Sequence, residues 1–224
     1  MSGNPDLKPE TIHDLTLSGS YKWLQFMISY QREKDAILYI TEQYKKNPAI
    51  TTVTHRNFNR IDNFSAFLTA SPAVGSWHPQ LTVGVQKQWA KIEHNGETLQ
   101  MDTPLFFCTL NNGIQLPYHW TLSTDINFQS KGDYQNIYMY QNVFMMNATL
   151  TKSFLNEHLS IHLQGIDLTH GRKDGNRIYN KHMNMDVANV SDSRELRFTI
   201  RYKFNTAKSK YKGKGAATEE IKRL

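Results

Sequence analysis

The chain has 224 residues, enough for one large domain or two small ones, and carries 26 Lys+Arg against 20 Asp+Glu for a net charge of +6. No stretch approaches the roughly 18 consecutive apolar residues of a transmembrane helix, so a crossing by helix is excluded. Mean hydropathy is low, −0.59, but a barrel strand alternates lipid-facing and lumen-facing residues and averages out, so a β-barrel stays open.

Residues 3–10, GNPDLKPE, form a turn-rich opening to a long alternating stretch, and period 2 then dominates from residue 11 to residue 204. The first run sets Leu15, Leu17, Gly19 and Tyr21 against Thr16, Ser18 and Ser20. The second sets Leu24, Phe26, Ile28 and Tyr30 against Gln25, Met27, Ser29 and Gln31. The next runs carry Phe64, Ala66, Leu68 and Ala70, then Leu81, Val83 and Val85, then Phe106, Cys108 and Leu110. Trp120, Leu122, Ile126 and Phe128 follow, then Phe144, Met146, Ala148 and Leu150, then Leu159, Ile161 and Leu163. The last run sets Leu196, Phe198, Ile200, Tyr202 and Phe204 against Arg197, Thr199, Arg201 and Lys203. Strands of about 9–12 residues suit a tilted crossing of a bilayer and are long for a soluble sandwich. The pattern predicts an all-β, antiparallel up-and-down meander of nine long strands over residues 11–204, part of a transmembrane barrel.

The connections alternate between tight and long. The chain turns in a few residues around Lys22, Pro72–Ser76, Leu116–Tyr118 and Leu155–Glu157, and between these lie polar stretches at 34–60, 90–104, 129–137 and 169–193, read as loops. Outer-membrane barrels have this asymmetry, with short periplasmic turns and longer extracellular loops. The tight ends also carry the aromatics Tyr21, Trp23, Trp77, Tyr118, Trp120, Phe154 and Phe204, the expected composition of a girdle at the headgroup level. The competing reading is a soluble antiparallel β-module that binds glycan or protein through its loops.

Nine strands leave the first and last running in the same direction, so they could close only by a parallel pairing, whereas bacterial single-chain barrels have even strand numbers. Both edges are therefore expected to lack partners, and residues 1–10 to be an extracellular segment of a larger barrel. Residues 1–20 show no charged n-region with an apolar core, so either a signal for export lies upstream or this copy is not exported.

GNPDLKPE closely resembles the G-N-P-x-L-x-P-E segment in the barrel of TonB-dependent receptors, and RFTIRYKF, residues 197–204, is similar to the terminal strand of those barrels. The tail SKYKGKGAATEEIKRL, residues 209–224, looks like that of a Bacteroidota branch often called the outer membrane β-barrel protein family. The resemblance covers essentially the whole chain. It implies an outer-membrane location, contact with lipid and with the barrel-assembly machinery, and in the parent a plug domain, the TonB system and import of a scarce solute. The plug, the TonB-box and most of the roughly twenty-two strands of such a transporter are not in this sequence.

The remaining motifs read as structure. His158 and His162 share a strand face about 13 Å apart, too far to share an ion. His170 and His182, with Asp174 and Asp186, lie in the longest loop and are read as solvated. NGETLQMD and HGRKDGNR hold Asn-Gly and Asp-Gly pairs, read as turns and not as calcium loops. Arg197, Arg201 and Lys203 form a basic stripe expected to face the lumen, either as the ordinary polarity of lumen positions or as contacts to a plug domain or an anionic solute. The basic segment of the tail, Lys208 to Lys214, is read as a solvated periplasmic tail over residues 205–224, with no nucleic acid as partner. Asp125 and Asp167 sit on strands without an evident partner. Cys108 is read as a small lipid- or core-facing residue, and the lone cysteine leaves no disulfide framework. No catalytic constellation or cofactor motif emerges, and neither an enzyme nor a cofactor is expected.

Overall fold

The structure is a computed structural model and describes residues 4–44, 47–190 and 192–204, so the expected tail at 205–224 lies outside the described residues. In chain order the strands begin with β1 (Thr11–Tyr21), β2 (Leu24–Tyr44), β3 (Asn47–Ala70), β4 (Trp77–His94) and β5 (Glu97–Met101). They continue with β6 (Leu105–Leu116), β7 (Trp120–Gln129), β8 (Gly132–Tyr134), β9 (Ile137–Met139) and β10 (Val143–Phe154). The last four are β11 (Leu159–Ile166), β12 (Lys173–Tyr179), β13 (Asn184–Val190) and β14 (Glu195–Tyr202). Two sheets result. One is the meander β1-β2-β3-β4-β6-β7-β10-β11-β14, with β5 hairpinned onto β4; the other is β13-β12-β9-β8.

The predicted meander is present, and all its ladders are antiparallel. Among the described residues β1 pairs only with β2 and β14 only with β11, so the sheet is open with those two strands as its edges. The tight turns fall where the sequence placed them. They are made at a conformational cost, because Lys22, Tyr118, His119, Leu155, Asn156 and Glu157 all take positive φ.

Directly opposed residues of an antiparallel ladder project to the same face, so the register carries each face across the sheet. One face runs Leu17–Ile28–Ala66–Val85–Phe106, then Leu110–Ile126–Met146, then Leu150–Leu163–Phe198. The other runs Thr16–Ser29–Ser65–Gln86, then Thr109–Asn127, then Thr151–His162–Thr199. The first face is apolar and the second polar. Two polar side chains on the apolar face, Asn112 and Thr124, bond to each other at 3.0 Å, and the Trp77 indole donates to Asn112 at 3.2 Å. That pairing is what a membrane solvent demands of polar groups.

Three expectations are corrected. The stretches read as long loops are largely strand: β2 and β3 run on together through 34–60 as one hairpin, β4 and β5 occupy most of 90–104, and β8, β9, β12 and β13 build the second sheet. Asp174–Gly175 of HGRKDGNR is not a turn but lies within β12, paired with Asn189 and Ala188 of β13. The other pair, Asn95–Gly96, is the turn between β4 and β5, both residues having positive φ (51° and 82°) as a two-residue hairpin requires. Asp167 is not a strand residue without a partner. It follows β11 at a φ of 48° and is one of the most hydrogen-bonded side chains among those described.

Candidate functional site

The packed interior lies at the long-hairpin end of the sheet. Ile61, Ala90 and Met101 are opposed in one row across β3, β4 and β5, and all three are buried. By register this row continues the polar face below it, in phase with Ser65 and Gln86. Ala36 and Leu38 of β2 join the same cluster although the polar face lower on β2 is made by the odd-numbered Gln25 to Gln31. The shift occurs at Asp35, whose φ of 55° breaks the alternation and turns the apolar set inward. Tyr138 of β9 and Tyr179 of β12 pack against this cluster, so the second sheet lies over the polar face at its long-hairpin end.

Polar contacts fix that placement. The Thr41 amide donates to Asn180 Oδ1 and the Asn180 amide donates back to Thr41 Oγ1, each at 2.7 Å, with both residues buried. Asn136 Nδ2 donates to the carbonyls of Tyr39 and Tyr179. Gln88 and Gln135 exchange two bonds, Gln88 Nε2 to the Gln135 carbonyl at 2.9 Å and the Gln135 amide to Gln88 Oε1 at 2.6 Å. The Thr103 amide donates to Asp133 Oδ2 at 2.8 Å, and Lys181 pairs with Glu93 at 3.1 Å. Buried polar groups are tolerated when satisfied, and a network of this kind specifies one docking geometry.

A second set of contacts ties the segment carrying β12 and β13 to the meander. The buried Asp167 carboxylate accepts from the Gly171 amide at 2.8 Å, from the Arg172 amide and from the Ser193 hydroxyl, while its own amide donates to Asn147 Oδ1 at 2.9 Å. Burial pushes this carboxyl up, but the donors from Ser193, Gly171 and Arg172 outweigh it and hold the group below the usual carboxylate range. Within the second sheet Arg177 clasps Asp186 through two bonds, 2.7 and 3.0 Å, which lowers the Asp186 carboxyl.

Arg197 opposes Gln164 and Arg201 opposes Ser160, on the polar face, and both are exposed. Arg197 is engaged by Glu195 of its own strand at 2.8 and 3.0 Å, a partner the sequence reading overlooked although it lies only two residues away. Lys203 follows the end of β14, its amide bonded to the His158 carbonyl. The aromatics Tyr21, Trp23, Trp77, Tyr118, Trp120, Phe154 and Phe204 are all exposed at the short-turn end. Lys22 lies over the Tyr21 ring, and Lys152 lies over Trp120 and Phe154 at 5.2 and 5.3 Å. His162 bonds to Thr151 and Ser160. Among the described residues no group of three or more His, Cys, Asp or Glu could hold a metal ion. On the polar face Phe67 lies over Gly84, where a Cβ would come within 2.2 Å of its ring, and faces Phe107 at 6.1 Å.

The sites that sequence reasoning missed are those of the second sheet. Asn136, Asn180, Gln135 and Asp133 are short polar residues in unpatterned sequence, and only the packing of remote segments reveals their roles.

Comparison with known proteins gives two matches. The profile of the outer membrane protein beta-barrel family matches residues 1–202. Among solved structures, the outer membrane transporter YddB from Escherichia coli aligns with a TM-score of 0.48 at 11% identity, over 89% of this chain and 33% of the other. The chain thus spans about a third of that transporter's length. No curated protein matches the sequence. A family match over nearly the whole described length sets aside the soluble module: the chain belongs to the outer membrane protein beta-barrel family and is an outer-membrane protein.

Proposed function

We propose that the chain forms the C-terminal part of a solute-importing outer-membrane barrel of the TonB-dependent-receptor type, in its Bacteroidota branch. The polar face is the wall of the solute route, and the second sheet is the extracellular element that meets the solute first. The observation that carries this reading is the second sheet itself, locked by buried amides over the polar face at the long-hairpin end. A purely structural wall has no need of such a roof. Arg201 and Lys203 contribute positive charge to that wall, toward a plug domain or an anionic solute, while Arg197 stands beside them paired with Glu195. The exposed aromatics of the short-turn end form the periplasmic girdle in contact with lipid, and the last strand is the element read by the barrel-assembly machinery. The open edges fit this reading, since unpaired N–H and C=O groups facing lipid cost several kcal/mol each, to order of magnitude, and further strands would satisfy them. The role is transport and not catalysis.

The test compares cells lacking this protein with cells lacking the TonB system, across a panel of limiting iron complexes, vitamins and oligosaccharides. The reading expects loss of uptake of at least one solute in both, with no further loss when the two defects are combined. Uptake that requires this protein but survives collapse of the proton-motive force would contradict it.

A further inference from the structure

We propose that the outward face of β2, β3 and β4, immediately beyond the apolar rows, is a binding site for the phosphorylated headgroup of an outer-leaflet lipid. The apolar row Ile28–Ala66–Val85–Phe106 is followed, one step further from the short turns, by Tyr30–Phe64–Lys87 and then by Arg32–Asp62–Trp89. Lys34 opposes Arg60 in the next row. All these residues share the face that carries the apolar rows. From Trp23 at the short turn to Arg32, the first charge on this face of β2, is about 30 Å along the strand, or about 23 Å of depth at a 40° tilt. That matches the height of a lipid-facing band, so the charges begin where headgroups begin.

The chemistry there suits a phosphate. Asp62 accepts from Tyr30 Oη at 2.8 Å, Arg32 Nε at 2.8 Å and Arg60 Nε at 2.5 Å, so one carboxylate fixes two guanidiniums and leaves a net positive charge. Among the described residues Arg60 uses only its Nε, which leaves its terminal nitrogens open to an anion. Beside it opens a cavity of about 410 Å³ whose lining includes the cations Arg60 and Lys91, the carboxylates Asp62 and Asp102, and Trp89 and Gln100. Lys87 lies 5.3 Å from the ring centre of the exposed Trp89. Lys87 and Lys91 make no ion pair among the described residues. Arginine forks and lysine point charges are the donors that phosphate recognition uses. The apolar row directly beneath selects a lipid over a free anion, because only a lipid also fills the space against Val85 and Phe106. The site lies on the opposite face of the sheet from the proposed solute route, so the two readings can fail separately.

The protein is extracted from outer membranes in mild detergent and titrated, by native mass spectrometry, with diphosphorylated lipid A, with phosphatidylethanolamine and with inorganic phosphate. The expected result is retention of lipid A, weaker retention of phosphatidylethanolamine and no displacement by millimolar phosphate. At about fivefold per surface charge, K87Q/K91Q should bind lipid A about 25-fold more weakly, while K87R/K91R should retain it. Asp102→Asn removes a carboxylate from the cavity and should tighten binding by about fivefold, which keeps the test informative if the double variant fails to assemble. Equal binding by K87Q/K91Q, an unchanged affinity of Asp102→Asn, or displacement of the lipid by inorganic phosphate would overturn the proposal.

Discussion

The two ends of the meander are held together by different means. At the long-hairpin end Ala36, Leu38, Ile40, Ile61, Ala90, Ile92, Met101 and Leu105 are buried, and the second sheet is locked over them by paired amides. Toward the short turns the same strands bury no apolar cluster among the described residues. Leu15, Leu17, Phe26, Val83, Phe198 and Ile200 all stand exposed on one face. The first region carries its own core and is built for water. The second is completed by its solvent, because an apolar face of this extent is stable only against hydrocarbon. A single sheet thus passes from one solvent to the other, and Asp35 and the charged rows at Arg32 and Asp62 mark the passage.

Breaking this comparison means perturbing one region and leaving the other intact. The largest effect is expected from Ile61→Ala, which empties the centre of the extramembrane core at about 4 kcal/mol. Hydrogen exchange should rise sharply in β5, β9 and β12, while membrane assembly, read by heat-modifiable gel mobility, stays unchanged. Val83→Arg should do the reverse. A charge near the middle of the lipid-facing rows costs about 3 kcal/mol, and the yield of assembled protein should fall, whereas Ser123→Arg on the polar face should assemble normally. Asn180→Ala leaves the Thr41 amide without its acceptor, at about 2 kcal/mol, and should release the second sheet to protease without affecting assembly. The smallest effect is a pH dependence. The Asp167 carboxyl titrates below its unfolded value of about 4, so its contribution is complete above that pH and is lost as pH falls through the lowered folded value. The protection of the Gly171 and Arg172 amides, their exchange measured against the intrinsic rate at each pH, should therefore fall in acid, and Asp167→Asn should abolish that fall.

The membrane part was legible because its physics is local. Strict alternation and tight turns such as Lys22–Trp23 and Leu155–Glu157 define strands, faces and register without reference to remote sequence. The extension of β2 beyond Lys34 was hidden by Asp35, since a single residue of positive φ shifts the phase and a continuous strand then reads as an interruption. The second sheet was hidden for another reason. KDGNRIY and NMDVANV carry little apolar alternation, and GDY and IYM are too short to show any period. Their order comes from contacts such as Thr41 with Asn180, 139 residues apart, to which no local pattern points. Among the candidate site residues the positions of Arg197 and Arg201 on the polar face follow from alternation, but the Glu195 partner of Arg197 does not, because same-face neighbours two apart on a strand are common and alternation does not say which of them pair.

The native Cys108 offers the most direct test of the two-solvent account, because register places it on the apolar face between Val83 and Phe128 and no other cysteine competes for a label. A nitroxide attached to it, with the protein returned to outer-membrane lipid, reports its surroundings through relaxation by oxygen, which partitions into hydrocarbon, and by a water-soluble nickel complex. The account predicts strong relaxation by oxygen and almost none by nickel. Strong relaxation by nickel would put Cys108 and its row in water, and would contradict the assignment of the apolar face to lipid.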